Sequence, residues 1–416
     1  MAQILILIGS HLCTAPRPQK EAAVLAGNGH DVTIAGGWFN HDLAALDRRL
    51  VIDAPYRFIT FADIRPGGIR SVRRLRKQIL RRIAQNRFAR NRSGSPELFG
   101  LFARESLQYA RQKPADLTIV HSEAGLYVAS HLDKTRRRVG ADFEDWFSED
   151  LLPHDRLHRP IGDLKAFEAS VLRDSDYVVT TSHALANELG RESGTAKPTV
   201  VYNTFPSVVT DTMTIDRSQE SRKVDPRTLH WFSQTIGPGR GLELLFSALP
   251  LVREACGIHL RGQLSPANRS WLESITPGLW RERVHLHPTV PNAELNSRIA
   301  EHDIGLALEE SACPSRDLTV TNKFFQYLQA GLAVIATDTQ GQREVAALAN
   351  AAVALIPQRS PAALAEAISG LLSNRERLEA AKAAARVAHR TVFSWDHSAA
   401  ALINRLEMAL EGRRPG

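Results

Sequence analysis

A glycine-rich loop in the second half of the chain has the composition of an anion-binding turn. It runs from Ser233 to Gly241, with the sequence SQTIGPGRG, between a predicted strand and a predicted helix. Glycines let the backbone turn tightly and approach a ligand, and a helix N-terminus presents N–H groups to an anion. Arg240 adds a cation beside that helix start. The loop predicts a diphosphate site that includes Gln234, Gly239 and Arg240, and an ordinary turn that carries a surface arginine is the alternative.

A second segment with similar chemistry extends from Glu309 to Gly331, with the sequence EESACPSRDLTVTNKFFQYLQAG. Its long loop leads from a predicted strand into a helix whose first turn would expose backbone N–H groups, at Thr319, Val320, Thr321, Asn322 and Lys323. Gln326 follows about one turn later, where its amide could face the same ligand. Ligands of open α/β sheets lie beyond the carboxyl ends of strands, and both loops leave such ends. We therefore expect the two loops to form one pyrophosphate pocket.

Two groups of residues in the first half could act on an acceptor. His121 ends the predicted strand LTIVH, and Asp142 and Glu144 open the acidic and aromatic run DFEDWFSED. Carboxylates placed at a strand end can bind hydroxyl groups or act as a base. A satisfied histidine at a strand end and a capped helix start are the alternatives.

Patterns that could bind a metal are weak. Asp174 and Asp176 have the D-x-D spacing of metal-dependent sugar transferases, but they lie between a predicted helix and a predicted strand, which is typical of a turn. His285 and His287 share a predicted strand without an evident third ligand. The cysteines are few and widely separated, which argues against a disulfide framework. We expect no essential metal.

Basic residues are concentrated in one segment. Between Arg65 and Arg92 there are eleven Arg or Lys residues and no Asp or Glu, and the apolar residues of the segment recur at helical spacing, at Ile69, Val72, Leu75, Ile79 and Ile83. This pattern predicts a basic amphipathic helix suited to an anionic membrane surface. A domain helix whose apolar stripe packs on the sheet is the alternative. Because no aromatic interleaving or recognition motif accompanies the charge, we expect no nucleic-acid partner.

The order of the predicted elements indicates an α/β protein with two doubly wound domains. The 416 residues exceed one ordinary core, and short apolar runs alternate with amphipathic helices in both halves. A polar, non-periodic stretch interrupts the alternation. We expect an N-terminal Rossmann-like domain over 1–205 and a linker or surface loop over 206–226. A second Rossmann-like domain over 227–390 and a C-terminal helix over 391–416 that packs back toward the first domain would follow.

Neither a signal peptide nor a transmembrane segment is evident. The opening sequence MAQILILIGS lacks a basic n-region, and its apolar run is shorter than a signal h-region. No stretch approaches the roughly 20 apolar residues that a spanning helix needs. We expect a cytoplasmic protein that can lie peripherally at the inner face of the cell membrane.

These motifs resemble the retaining glycosyltransferase family 4, which has the GT-B fold. The strand, the GPGRG turn and the later TNKFFQYLQAGLAVIATD are similar to the donor domain of that family. Three other matches follow the same order: His30-Asp31-Val32, the strand from Asp176 to Ser182, and Val201-Tyr-Asn203. The resemblance spans nearly the whole chain. It implies two Rossmann-like domains that face each other across a cleft, an acceptor-binding domain over 1–205 and a nucleotide-sugar donor domain over 227–390.

The resemblance also implies residue roles. Arg240 would pair with the donor diphosphate, the backbone of 319–323 would cradle the same phosphates, and Gln326 would face the ribose. His121 would lie near the donor sugar and the reacting centre. Ser10 and His11 would border the acceptor. The sequence differs from the family pattern at three positions, because Leu318 and Gln326 replace two glutamates and Gln234 replaces an arginine near the donor.

The function expected from the resemblance is transfer of a sugar from a UDP- or GDP-sugar to a glycan or lipid-linked acceptor, with retention of configuration and without a protein nucleophile. The pathway would be that of a surface polysaccharide or glycolipid. A sugar-nucleotide epimerase is an alternative of the same fold. A non-catalytic binding or scaffold protein is a second alternative, favoured by the replacements at Leu318 and Gln326.

Overall fold

The computed structural model describes residues 1–206 and 227–412, which form two compact α/β units. The first unit comprises residues 1–201, 313–315 and 399–412, and the second comprises 202–206, 227–312 and 316–398. All but residue 206 of the predicted linker over 206–226 lies outside the described residues.

The first unit is built on a parallel sheet of seven strands in the order β3-β2-β1-β4-β5-β6-β7. The strands are β1 (Gln3–Leu7), β2 (Asp31–Trp38), β3 (Arg57–Asp63), β4 (Leu117–His121), β5 (Arg138–Phe143), β6 (Tyr177–Thr180) and β7 (Thr199–Val200). Every residue of β4 is buried, because β4 is central in the sheet and helices cover both faces.

Within residues 1–206, eight α-helices follow or precede these strands. They are α1 (Pro16–Gly27), α2 (His41–Leu50), α3 (Ile69–Asn91), α4 (Ala103–Gln112), α5 (Ser122–His131), α6 (Pro153–Arg156), α7 (Ile161–Asp174) and α8 (His183–Ser193). Local sequence sets several of the helix ends. The side chain of Ser182 caps α8 by accepting from the Leu185 N–H at 3.0 Å, and Gly194 ends that helix at a φ of +65°.

The second unit has a parallel sheet of six strands in the order β10-β9-β8-β11-β12-β13. The strands are β8 (Arg227–Thr235), β9 (Cys256–Gln263), β10 (Val284–His287), β11 (Ile304–Ala307), β12 (Ala333–Thr337) and β13 (Val353–Ile356). The helices that follow β8 along the chain are α9 (Leu242–Ala248), α10 (Pro266–Ile275), α11 (Asn292–Ala300), α12 (Pro314–Leu318), α13 (Asn322–Ala330), α14 (Gln340–Ala349), α15 (Pro361–Leu372), α16 (Arg375–Thr391) and α17 (Trp395–Leu410). The first two residues of α12 and most of α17 belong to the first unit. Trp231 on β8 is fully buried in one of the two cores that flank this sheet.

The architecture confirms the expected pair of doubly wound domains. All six strands predicted for the second half are present, and six of the seven strands in the first half match predicted runs. The strand β3 was not predicted, because it lies at the sheet edge and none of its residues is fully buried. Over the described ranges, no helix combines the length and the apolar character that crossing a bilayer requires.

Candidate active site

The glycine-rich turn of the second unit lies directly against the end of β11. Gly241 adopts a φ of +82°, and a Cβ at this position would lie 2.1 Å from the carbonyl oxygen of Leu308. Leu308 immediately follows β11, which pairs in parallel with β8. Only glycine combines the left-handed conformation with such a close approach. The glycine at position 241 therefore allows the GPGRG turn to pack against the loop that follows β11.

Trp231 connects this turn to the start of α13. Its indole Nε1 donates a hydrogen bond to the carbonyl oxygen of Arg240 at 3.2 Å. The ammonium of Lys323 lies 5.7 Å from the centroid of the same ring, within the range of a cation–π contact. The structure thus places the two predicted donor-binding loops side by side at the carboxyl ends of β8 and β11.

Glu309 organises the loop before α13. One of its oxygens accepts from the Lys323 ammonium at 2.5 Å and from the Thr321 hydroxyl at 3.2 Å. Burial alone would raise the pKa of Glu309, but the charge and hydrogen bond of Lys323 outweigh it and lower that pKa. Glu309 is therefore an anion, and Lys323 is held by it. A diphosphate at this site would have to share or displace this ion pair.

Arg240 and the glycine-rich turn carry similar internal contacts. The guanidinium of Arg240 is exposed and donates to the Ser233 hydroxyl at 3.1 Å. The N–H of Gly239 donates to a carboxylate oxygen of Glu243 at 2.8 Å. The predicted amide donor of Gly239 is thus occupied by a side chain of the same turn, whereas the exposed guanidinium can reorient toward a ligand.

The other residues predicted to contact the donor occupy different environments. Gln234 is exposed on β8, and Asn322 opens α13. Val320 and Gln326 are buried, with 5% and 7% of their surface exposed. The Thr319 carbonyl lies within 2.4 Å of the position that a Cβ on Gly341 would occupy, so this segment packs against the start of α14. The side chain of Gln326 thus belongs mostly to the interior of the domain.

In the first unit, His121 lies between two carboxylates. Its Nε2 is 2.9 Å from an oxygen of Glu21, and its Nδ1 is 2.9 Å from an oxygen of Glu144. The second oxygen of Glu21 accepts from the hydroxyl of Tyr177 at 2.7 Å. Tyr177, Glu21, His121 and Glu144 thus form one hydrogen-bonded chain that runs from the core to the end of β4 (the histidine relay).

The relay keeps His121 protonated. Burial by itself would lower the pKa of His121, but the hydrogen bonds to Glu144 and Glu21 reverse this effect and raise the pKa to about 10. Burial would raise the pKa of Glu144, and the bond to His121 lowers it. At neutral pH the pair is an imidazolium and a carboxylate. His121 therefore cannot accept a proton, and Glu144 is the basic group of the pair.

A second buried ion pair lies beside the relay. Arg17 donates from Nε to Asp142 at 2.5 Å and from a terminal nitrogen to the carbonyl oxygen of Val201 at 2.8 Å. Both side chains have 1% of their surface exposed, so Asp142 is not available to an acceptor. Burial also lowers the pKa of Lys20 to about 7. The predicted acceptor contact of Asp142 is replaced by a structural ion pair.

Glu21, His121 and Asp142 could offer three ligand atoms to a metal, and within the described ranges they are the one such group. Their charges are already balanced: Arg17 neutralises Asp142, and His121 is itself a cation. A divalent ion would have to remove a proton whose pKa is about 10. Asp174 and Asp176 flank the turn between α7 and β6, as the sequence indicated.

A cavity of about 380 Å³ opens beside the histidine relay (the acceptor pocket). Its polar lining includes Ser10, Thr14, His121, Ser122, Glu144 and Asp145. Ser122 adopts a φ of +70°, which is costly for a residue with a side chain, and its buried hydroxyl has no partner among the described residues. The Glu144 side chain is 33% exposed. A hydroxyl group of an acceptor could contact the Ser122 hydroxyl and the Glu144 carboxylate in this pocket.

Of the two residues predicted to border the acceptor, only Ser10 lines the pocket. His11 is fully buried, its Nδ1 is 2.9 Å from Asp47, and its Nε2 accepts from the N–H groups of Phe39 and Asn40 at 3.0 and 3.2 Å. Nε2 therefore fixes the loop after β2, and Nδ1 contacts α2 through Asp47. The structure does not support the predicted acceptor contact of His11.

Sequence reasoning missed the residues that support His121. Arg17 and Glu21 are four positions apart on α1 and share its buried face with Pro18, Ala22 and Leu25. Two charged residues within an otherwise apolar stripe are a detectable signal, because buried charges require partners. Arg17 and its partner Asp142 are 125 positions apart, and Glu21 and its partner His121 are 100 positions apart. No local pattern identifies such partners.

Residues 227–374 match the model of the family described as glycosyl transferases group 1. No curated protein matches the chain. Among solved structures, the chain is similar to a sucrose-phosphate synthase from Thermosynechococcus elongatus, with 14% identity, a TM-score of 0.69 and 99% of each chain covered. It is also similar to the Anabaena protein HepE in complex with UDP-glucose, with 16% identity, a TM-score of 0.67, and 98% and 100% of the chains covered. A glycosyltransferase from Rickettsia africae gives 14% identity, a TM-score of 0.66, and 98% and 97% coverage.

These similarities define the class of the protein. The two doubly wound units and the structural neighbours show the GT-B fold. The second unit carries a glycosyltransferase group 1 domain, and the protein is a glycosyltransferase.

Proposed function

We propose that the protein transfers a sugar from a nucleoside-diphosphate sugar to a glycan or lipid-linked acceptor, with retention of configuration as in glycosyltransferase family 4. One observation carries the proposal: the GPGRG turn and the Glu309–Lys323 segment adjoin at the carboxyl ends of β8 and β11, over the indole of Trp231. This position is where open α/β sheets bind nucleotides. The UDP-glucose complex of HepE agrees with a uridine donor.

In this proposal, Arg240 acts on the leaving group. Cleavage of the bond between the sugar and the diphosphate leaves negative charge on the diphosphate, and a preorganised cation stabilises that charge. Arg240 is exposed and its guanidinium donates to the Ser233 hydroxyl, a contact that it can exchange for the phosphates at small cost. Lys323 could join it once the diphosphate competes with Glu309.

On the acceptor side, we assign the contact with the attacking hydroxyl to Glu144. Its carboxylate is oriented by the imidazolium of His121 and reaches the acceptor pocket. A carboxylate at hydrogen-bond distance raises the electron density of a hydroxyl oxygen and can direct its proton toward the leaving phosphate oxygen. His121 then orients Glu144. No essential metal is part of this proposal.

Donor binding tests the assignment. Calorimetry with UDP, GDP, ADP and their glucose conjugates should reveal binding of one nucleotide series, and Arg240→Ala should weaken it by about tenfold or more, which corresponds to one lost charge-assisted contact. Arg253→Ala is the matched control. Arg253 is also exposed, but it precedes β9 and therefore lies at the amino ends of the strands, away from the two loops. If none of these nucleotides binds, the result would favour the alternative of a non-catalytic binding or scaffold protein. Proton NMR of the anomeric centre of the product would decide between retention and inversion.

The acceptor is proposed to be reached at an anionic membrane, as part of surface polysaccharide or glycolipid synthesis. The helix α3 contains the predicted basic segment, and its apolar residues are exposed: Ile69 by 71%, Val72 by 66%, Leu75 by 56%, Ile79 by 50% and Ile83 by 44%. The face that packs on the unit is a different one, with Ala84 and Phe88 buried. The alternative in which the apolar stripe packs on the sheet is wrong. An exposed apolar stripe flanked by arginines suits the interface of an anionic bilayer.

Vesicle flotation tests this second part. The protein should float with vesicles of phosphatidylcholine and phosphatidylserine, and less with phosphatidylcholine alone, because both apolar burial and charge contribute. Replacing Val72 and Ile79 by serine should reduce flotation. The control replaces Leu251 and Leu279 by serine, since both are exposed but lie in the other unit. Equal loss in both double variants would argue against a role of α3.

A further inference from the structure

A second and larger cavity of the first unit lies against α3. Its volume is about 560 Å³, and its walls come from the end of β3, the inner side of α3, and the segment from Glu97 to Glu105. Five basic residues line it, namely Arg73, Arg76, Lys77, Arg81 and Arg104. We call it the basic cavity. Its lining contains no residue of the donor loops, of the histidine relay or of the apolar stripe of α3.

The acidic residues of the basic cavity are already paired. Lys77 contacts Glu105 at 2.6 Å, and Arg104 contacts Glu97 at 2.8 Å. The third acidic residue, Asp63, contacts Arg65 at 2.6 Å and is held ionised, with its pKa lowered by that arginine. Each carboxylate of the lining is therefore satisfied by its own cation.

Three guanidinium groups remain. Arg73, Arg76 and Arg81 have no ion pair with any described carboxylate, although they line the same cavity. Their positions along α3 bring them to one side of the helix, next to the buried Ala84 and Phe88. Planar guanidinium groups bind the oxygens of phosphate in pairs, and three unneutralised charges in one cavity favour a multiply charged anion.

The basic cavity adjoins the acceptor pocket. Gly100 lines both cavities, and a Cβ at this position would lie 2.9 Å from the Cβ of Ala124 on α5. The absent side chain lets the loop before α4 approach α5 at the residue that the two cavities share. One molecule could thus place an anionic group among the arginines and a hydroxyl beside Glu144.

We propose that the basic cavity binds a phosphate or diphosphate group through Arg73, Arg76 and Arg81, and that this group belongs to the acceptor. The proposal rests on the proposed glycosyl transfer and names the class of its acceptor, a phosphorylated molecule. A phosphate in the basic cavity orients the acceptor, because its hydroxyl then enters the acceptor pocket from the side of Gly100. The headgroup of a bilayer phospholipid shares the same chemistry.

Binding of inorganic pyrophosphate, measured by calorimetry, tests the basic cavity. All proteins carry Arg240→Ala, which weakens pyrophosphate binding at the donor loops equally in each of them. We expect Arg73→Gln with Arg81→Gln to weaken pyrophosphate binding about tenfold or more, the loss of at least one charge-assisted contact. The control pair is Arg82→Gln with Arg90→Gln, which removes the same charge from exposed positions of α3 outside the cavity. The control should change the affinity by less than about twofold, as expected for distant surface charges.

Two results would overturn the proposal: no pyrophosphate binding by the parent protein, or equal weakening by the two pairs of substitutions. Nucleotide binding by the proteins with intact Arg240 reports on the donor loops separately, so a failure of the proposed function is distinguishable. Vesicles of phosphatidylcholine with phosphatidic acid identify the source of the phosphate. If the affinity for pyrophosphate is the same with and without these vesicles, the result supports a separate phosphorylated acceptor. Displacement of the protein from them by pyrophosphate assigns the cavity to a bilayer headgroup and overturns the assignment to the acceptor.

Discussion

The imidazole Nε2 of His121 lies 2.9 Å from a carboxylate oxygen of Glu21, although the two residues are 100 positions apart. Both side chains are almost fully buried, with 3% and 1% of their surface exposed. A buried histidine without partners would be neutral. Contact with Glu21 and Glu144 instead makes this one a cation, and its role in the active site follows from that charge.

Glu21→Gln should destabilise the first unit in a pH-dependent manner. The pKa of His121 is about 10 in the folded protein and near the ordinary 6.5 of histidine in the unfolded chain, so its stabilisation is complete below pH 6.5 and is lost as the pH rises to about 10. The variant should therefore lose about 3 kcal/mol at pH 6, as when one partner of a buried pair is removed, and less at pH 9. Urea unfolding across this range measures both values.

The exposed pair of Arg191 and Glu192 provides the control. Glu192→Gln should change the free energy of unfolding by less than about 0.5 kcal/mol at either pH, since surface ion pairs contribute little. A pH-independent loss in Glu21→Gln would contradict the charged state of His121.

Glu144→Gln should lower kcat while leaving donor affinity unchanged. The amide keeps the size of the side chain but cannot accept a proton, and loss of such a group typically costs about 10²-fold or more. Steady-state kinetics with a soluble acceptor, together with nucleotide calorimetry, separates the two quantities. Glu192→Gln, at an exposed position of α8 outside both cavities, is the control. A weaker nucleotide affinity with normal kcat would assign Glu144 to the donor instead.

The second unit should lose stability in acid through its buried histidines. Burial lowers the pKa of His302 to about 3 and that of His259 to about 4, whereas unfolded histidine titrates near 6.5. The unfolded chain then binds more protons than the folded protein as the pH falls below 6.5, so stability decreases from there to about pH 4. Thermal unfolding between pH 4.5 and 7.5 should show this slope.

His302→Gln should make that slope shallower, because one of the groups that must bind a proton is removed. His183→Gln, at an exposed position of α8, is the matched variant and should retain the slope of the parent. An unchanged slope in His302→Gln would show that other groups dominate the acid response.

Gly241→Ala should disrupt the donor loops more than Gly239→Ala. Both positions have positive φ, +82° and +69°, so each alanine carries the cost of a left-handed conformation, about 1–2 kcal/mol. Only the Cβ at position 241 also meets a backbone atom, the carbonyl oxygen of Leu308 at 2.1 Å. The difference in unfolding free energy between the two variants measures this clash. Equal losses would contradict the close packing of the turn on the end of β11.

Chelation of divalent metals should leave the transfer reaction unchanged. Glu21, His121 and Asp142 could supply ligand atoms, but Arg17 and the imidazolium already balance their charge. Rates measured with and without EDTA, after dialysis against the chelator, give the comparison. Loss of activity that zinc or magnesium restores would show that a metal replaces the proton of His121.

The sequence by itself determined the fold class and the glycine-rich turn. Apolar runs such as LTIVH are typical of buried strands, and the GPGRG turn requires the left-handed freedom of its glycines, so both are local consequences of residue type. The amphipathic helix α3 was likewise evident from its spacing. Whether its apolar stripe is buried was not, because burial depends on what the rest of the chain covers.

Only the tertiary structure decided the state of the charged residues. His11 follows a strand and His121 ends one. His11 nevertheless contacts Asp47 and fixes a loop, whereas His121 is a cation between two glutamates. The partners of each come from elements distant in sequence. Electrostatic interactions depend on distance and burial in three dimensions, and no local pattern of residues specifies either quantity.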